Sequence, residues 1–167
     1  MVTIPPSAGR RLGWPYAIPR FSVVPAAYVY LRRGDQVLLQ RRQNTGYMDG
    51  MWVAGAAGHI ELGETAANTA VHEAREELGI EISVGSLLAA TVMQRTDGTS
   101  TPNEQRADWF FTATKWFGEP SVMESHKCAE VAWFPLLALP DSMPEYERFV
   151  LDCLASGELA PFTSFGF

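Results

Sequence analysis

Apolar residues fall into short runs separated by glycine, proline and small polar residues, and the runs differ in period. Residues 23–31, VVPAAYVYL, are apolar with β-branched and aromatic side chains, which predicts a strand. RRGD then turns the chain into QVLLQRR, a second strand, so residues 23–42 are expected to form a hairpin. QNTGYMDG reads as loop from its Gly, Asn and Asp content. WVAGAAGHIELGE is too rich in glycine for a helix and predicts extended backbone that another group approaches closely. The period changes after that. Ala66, Ala67, Ala70, Val71, Ala74 and Leu78 recur at helical spacing as a narrow stripe of small residues, so this helix should lie close against a sheet. Thr65 is placed to cap its first turn, and Gly79 to end it in a left-handed stop.

Strand-like segments follow at 80–95 and 106–116, on either side of the polar loop TDGTSTPNEQ. After a loop around GEPSVMESHK, AEVAWFPL predicts another strand. PEYERFVLDCLASG predicts a terminal helix, with Pro144 at its start, Gly157 at its end and Phe149, Val150, Cys153 and Leu154 on one face. Strands, helix, strands, helix is the order of an α/β domain with a mixed sheet and helices on its faces. Residues 23–167 read as that single domain. Residues 1–22, with Pro5, Pro6, Pro15 and Pro19, read as an irregular arm. Its Trp14 and Tyr16 would dock on the domain or on a second copy of the chain, a homodimer contact, unless the arm is disordered.

Composition narrows the partners. A chain of 167 residues, 47% hydrophobic and 19% charged, has the profile of a soluble globular protein. Its net charge of -6 argues against a non-specific nucleic-acid or anionic-membrane surface. A small anionic ligand stays open, because a metal ion supplies positive charge locally. No run is long and apolar enough to cross a bilayer, and the N-terminal residues lack the apolar core of a signal peptide, so the cytoplasm is the expected location. Cys128 and Cys153 are far apart and in no CxxC spacing, which predicts neither a cysteine zinc site nor a disulfide framework.

Residues 72–79, HEAREELG, carry the candidate chemistry. Glu73, Glu76 and Glu77 stand at i, i+3 and i+4 and project within one sector of the helix. Like charges so spaced cost a helix roughly a few tenths of a kcal/mol per pair unless a cation relieves them. Mg²⁺ commonly takes carboxylates together with phosphate oxygens from its substrate. Three glutamates alone are compatible with an ordinary solvated face; the residues around them decide the matter.

GHIELGETAANTAVHEAREELGI resembles the Nudix box of MutT-like hydrolases, written G, five residues, E, seven residues, R-E-U-x-E-E-x-G-U with U bulky and apolar. Gly58, Glu64, Glu73, Glu76, Glu77 and Gly79 occupy the required places, and Ile80 fills the last apolar one. Six such matches at about 7% each arise by chance on the order of once in ten million starts, which selects the cradle over the charged face. Three departures stand out. His72 replaces the motif arginine, Ala74 takes the first bulky position, and VAGAAG replaces the L-P-x-G common at the bend before Gly58. His72 lies one turn before Glu76, so its imidazole can reach that carboxylate, although without an arginine's bidentate fork.

The similarity extends further. QVLLQRR resembles the family's second strand, whose terminal arginine, here Arg42, faces substrate phosphate, while Arg41 alternates to the other face. WFFTATKWFGEPSVME resembles the stretch that ends in W-x-G-E-P with a glutamate four residues later, here Glu124. The resemblance implies an α/β/α sandwich with a mixed β-sheet. It also implies hydrolysis of a nucleoside diphosphate linked to another group, with Mg²⁺ or Mn²⁺. On that reading Glu76 and Glu77 bind metal, Glu73 binds metal or its water, and Glu73 competes with Glu124 as general base. The Ala57 carbonyl would be a further ligand, Glu64 a structural or outer acid, and His72 an orienting group. Arg42 and His59 would meet phosphate, and Trp109, Phe110, Tyr47 or Trp52 would stack on a base.

For the substrate, W-x-G-E-P favours a nucleoside triphosphate cleaved to monophosphate and pyrophosphate. The lack of proline between Gly79 and Pro102 speaks against the ADP-ribose branch. Nucleotide sugars and other derivatives remain alternatives. So does a weakly catalytic sensor of the same fold.

Overall fold

The computed structural model describes residues 21–167, so the expected arm falls almost wholly outside the described residues. The elements are β1 (Val24–Arg33), β2 (Gln36–Arg42), β3 (Trp52–Ala54), β4 (Ala56–His59), α1 (Ala66–Leu78), β5 (Leu87–Arg95), β6 (Arg106–Ala113), β7 (Cys128–Pro135), α2 (Glu145–Ser156) and β8 (Phe162–Phe165). Among the described residues, no helix is long and apolar enough to cross a membrane.

Strand β1 is the spine. It pairs with β2 antiparallel only at Arg32↔Val37 and Arg33↔Gln36, the root of the expected hairpin. It then runs antiparallel to β4 and parallel to β6. Residues 26–31 are all buried, which is why this strand reads as a continuous apolar run rather than an alternating one. Ala27, Val29 and Leu31 pack toward α1; Ala26, Tyr28 and Tyr30 pack toward α2. Two cores back to back on one mixed sheet make the α/β/α sandwich.

Helix α1 begins and ends as expected. The Thr65 side chain accepts from the Asn68 amide at 3.2 Å, and Gly79 closes the helix at φ 68°. Ala70 and Ala74 are fully buried. A methyl at each contact lets the helix lie close against β1 and β4.

Three expectations needed correction. The segment from residue 80 does not become a sheet strand until Leu87: Glu81 makes a single bridge to Phe117, and Val84–Ser86 form a 3₁₀ turn. Strand β8 was not anticipated; FTSF lies at the sheet's edge, parallel to β5, with Phe162 exposed. The terminal helix is also rotated from the expected face. It buries Tyr146, Glu147, Val150 and Leu151, while Phe149 lies at the surface. A glutamate in the core is stable here because it is hydrogen-bonded. Its Oε2 accepts from the Ala54 amide at 2.6 Å and from the Tyr30 hydroxyl at 3.0 Å.

Two outcomes are expected of this packing. Ala74→Leu overfills a closed contact and should cost about 1–3 kcal/mol in urea denaturation, although the family pattern has a bulky residue there. Burial pushes the Glu147 carboxyl up to about 7, against the lowering effect of its Ala54, Tyr30 and Tyr146 hydrogen bonds. An unfolded glutamate titrates near 4.3, so the folded chain holds a proton that the unfolded chain has released. Stability from this group is therefore full below that value and is lost as pH rises through about 7. Glu147→Gln removes the ionisation, so its melting temperature relative to wild type should be higher at pH 8 than at pH 5. A pH-independent difference would contradict this account.

Candidate active site

The site is assembled where α1 crosses β4. Gly58 on β4 has no side chain, and a Cβ there would overlap the Glu73 carboxylate. Only glycine leaves room for that carboxylate against the strand. Burial raises the Glu73 carboxyl above the usual range, and the neighbouring charge of Glu76 adds to the effect.

One helical turn on, Glu77 is more deeply set. Its Oε2 accepts from the Ala57 amide at 2.9 Å and from Gln40 Nε2 at 3.2 Å. Even so, burial pushes its carboxyl up to about 7, helped by the charges of Glu73 and Glu124. Such a group lacks positive charge.

Ala57 is turned toward the same place. In an antiparallel pair, residues alternate between exchanging both main-chain bonds and turning both groups outward. The Ile60 amide bonds Pro25 of β1, and the Ala57 amide bonds Glu77 instead. By that alternation the Ala57 carbonyl also points away from β1, on the side of its own N–H.

Glu76 and Glu124 already have cationic partners or ones that can become so. His72 Nε2 lies 3.1 Å from Glu76 Oε1, and its Nδ1 lies 3.8 Å from Glu64 Oε1. Glu64 in turn accepts from the Thr69 hydroxyl at 2.8 Å. The histidine thus bridges two acids of the box, which places it within reach of Glu76 as its spacing suggested. Glu124 receives Lys127 Nζ on both oxygens, at 2.9 and 3.0 Å. The loop bearing Glu124 is tied to the end of α1. The Ser121 amide donates to Leu78 O and the Met123 amide to Glu77 O, covering carbonyls that a helix end otherwise leaves open.

Among the described residues, no three acidic, histidine or cysteine side chains close around a common point. Glu76 turns to His72, Glu124 to Lys127 and Glu77 to the Ala57 amide. The donors nevertheless suit a hard divalent cation: four carboxylates on neighbouring elements, two of them held protonated more readily than usual, and an outward main-chain carbonyl.

A cleft of about 750 Å³ contains Ala57, Gly58, Glu73 and Glu77 in its lining, together with Arg42, Tyr47, His59, Arg106 and Lys127. Arg42 Nε donates to Tyr47 O at 3.0 Å, and Arg41 pairs with Glu130 at 2.8 Å. His59 Nε2 lies 3.2 Å from Arg106 Nη1. Tyr28, Tyr146, Glu147 and Arg95 also line the cleft; Arg95 pairs with Asp108 at 2.8 Å and lies over the Tyr146 ring.

Trp109 is elsewhere. On β6 it alternates with Phe110 and packs into the α1-side core, so it does not face the cleft. Phe110 stacks on Tyr28 within the other core, and Trp52 packs edge-on against Phe134. Of the four aromatic candidates, only Tyr47 lines the cleft. Sequence reasoning missed Gln40, Lys127, Arg95 and Glu147. The available signal was polarity at inward positions of otherwise apolar elements, as for Gln40 beside Leu38 on β2.

Comparison with known proteins identifies the family. A NUDIX domain model matches residues 23–153. The chain is 33% identical over 126 residues to an isopentenyl-diphosphate Delta-isomerase of Cereibacter sphaeroides, covering 74% of this chain and 71% of that protein. It is 38% identical over 65 residues to the NAD-capped RNA hydrolase NudC of Pseudomonas aeruginosa, covering 39% of this chain and 22% of that one. A MutT NUDIX hydrolase from Burkholderia pseudomallei superposes with a TM-score of 0.70 at 23% identity, over 78% of this chain and 97% of that one. The chain therefore belongs to the Nudix family.

Proposed function

We propose that this enzyme hydrolyses a nucleoside triphosphate to the monophosphate and pyrophosphate, with Mg²⁺, or Mn²⁺ in its place. The observation that carries the reading is a single cleft lined by Glu73, Glu77 and the bend at Ala57 and also by the cations Arg42, Arg106 and Lys127. Acids for a metal and bases for phosphate meet there. W-x-G-E-P supports the triphosphate over a nucleotide sugar. The relatives named for isopentenyl diphosphate and NAD-capped RNA point to the same chemical handle, a diphosphate.

Glu76, Glu77 and the Ala57 carbonyl would hold the metal. When bound, it would neutralise phosphate charge and make a coordinated water easier to deprotonate. Glu124 or Glu73 would take the proton of the attacking water, and Arg42 and His59 would hold the phosphates in line. His72 would orient Glu76, with Glu64 behind it. Lys127, which pairs with Glu124 in the unliganded chain, would be available to a substrate phosphate once that carboxylate turned toward metal. The two free thiols fit a reducing cytoplasmic setting.

A panel of nucleoside and deoxynucleoside triphosphates, nucleotide sugars, NAD and isopentenyl diphosphate, assayed with Mg²⁺, tests this. Monophosphate plus pyrophosphate from a triphosphate is expected. Tight binding without turnover of any member would instead identify a sensor. Between the two candidate bases, the one whose change to Gln lowers kcat by about 10²–10⁴-fold is the proton acceptor. Glu124→Gln and Glu73→Gln with equal, small losses would remove both from that role.

A further inference from the structure

We infer that Gln40 is a positioning residue for the proposed metal ligand Glu77, and that Glu77 Oε1 is the atom that faces the metal. This rests on the metal-dependent reading above. On β2, Val37 and Leu39 pack toward α2 and Leu38 toward α1. Gln40 follows Leu38 on the α1 side and is only 5% exposed. An apolar side chain would fill that place at no desolvation cost, whereas a buried amide is tolerated only with its hydrogen bonds made.

Gln40 spends its amide on Glu77. Its Nε2 donates to Oε2 at 3.2 Å, and the Ala57 amide donates to the same oxygen at 2.9 Å. The donors come from β2 and β4, so the carboxylate is held from two strands at once. A carboxylate oxygen has two lone pairs, and both of those on Oε2 are engaged. No hydrogen bond to Oε1 is made among the described residues, which leaves that oxygen for a cation.

The amide is also the right kind of donor. A lysine or arginine at position 40 would orient Glu77 but also neutralise it, and would compete with a divalent ion. A carboxamide fixes the geometry and brings no positive charge of its own to compete with the ion. Groups that hold a ligand in this way typically change metal affinity by about 10–100-fold when removed.

The test is Mn²⁺ binding by the full chain, read from the electron paramagnetic resonance of the free ion. Wild type must bind first; its failure to do so would overturn the metal reading itself. Given binding, Gln40→Leu and Gln40→Met should each weaken the Kd by about 10-fold or more. Their metal-free melting temperature should stay level or rise, since a buried polar group has been replaced by an apolar one. A Kd within twofold of wild type, with or without a lower melting temperature, overturns the inference and leaves the metal reading intact. If neither variant folds, the side-chain amide signals of Gln40 in the wild-type NMR spectrum decide. A shift on titration with Mg²⁺ supports the inference, and unchanged signals overturn it.

Discussion

Everything in the site depends on how closely α1 approaches β4. Gly58 admits the Glu73 carboxylate, and Ala70 and Ala74 let the helix sit against the sheet with no larger side chain between. At that separation a glutamate one turn further reaches the main chain of the neighbouring strand, so Glu77 meets the Ala57 amide. A larger residue at Ala70 or Ala74 would move the carboxylates together, because they ride on one rigid helix, whereas one at position 58 would displace the Glu73 carboxylate alone. Small residues here set a distance, and the chemistry follows from it.

Repulsion among the glutamates is handled by giving each a separate neighbour. Glu76 has His72, Glu124 has Lys127, and Glu77 has two neutral donors. Only the third arrangement leaves the negative charge uncompensated, which is why burial can push that carboxyl so far up. The His72 substitution belongs to this pattern. Where the family motif has an arginine fork, this chain has a ring that touches Glu64 on one side and Glu76 on the other.

The fold and the acidic half of the site could be read from the chain because they rest on local rules. The Thr65 and Gly79 caps, the alanine stripe and the spacing of the glutamates need only a helix. The hairpin at β1 and β2 and the terminal helix between Pro144 and Gly157 were equally legible. What could not be read depends on which face of a strand meets which layer. Trp109 and Phe110 are adjacent aromatics with the same propensity, and only the register of β6 sends one to each core. Gln40 and Glu147 are polar residues on buried faces, and their donors lie far away in sequence, at Glu77 for the first and at Tyr30 and Ala54 for the second. Phe149 is apolar and Glu147 is not, so periodicity alone favours the wrong face, and the hydrogen bonds that make the Glu147 carboxyl tolerable in the core are invisible to it.

The last turn of a helix is ordinarily its first part to fray. Here that turn is stitched to the loop that carries Glu124, through the amides of Ser121 and Met123. Loosening of the helix end and departure of the distal acid are thus one event. The core around Tyr30 and Leu31 can remain intact while this seam opens. On the proposed role of Glu124, the heat tolerance of the reaction would be set at this short stitched margin, and that of the fold by its interior.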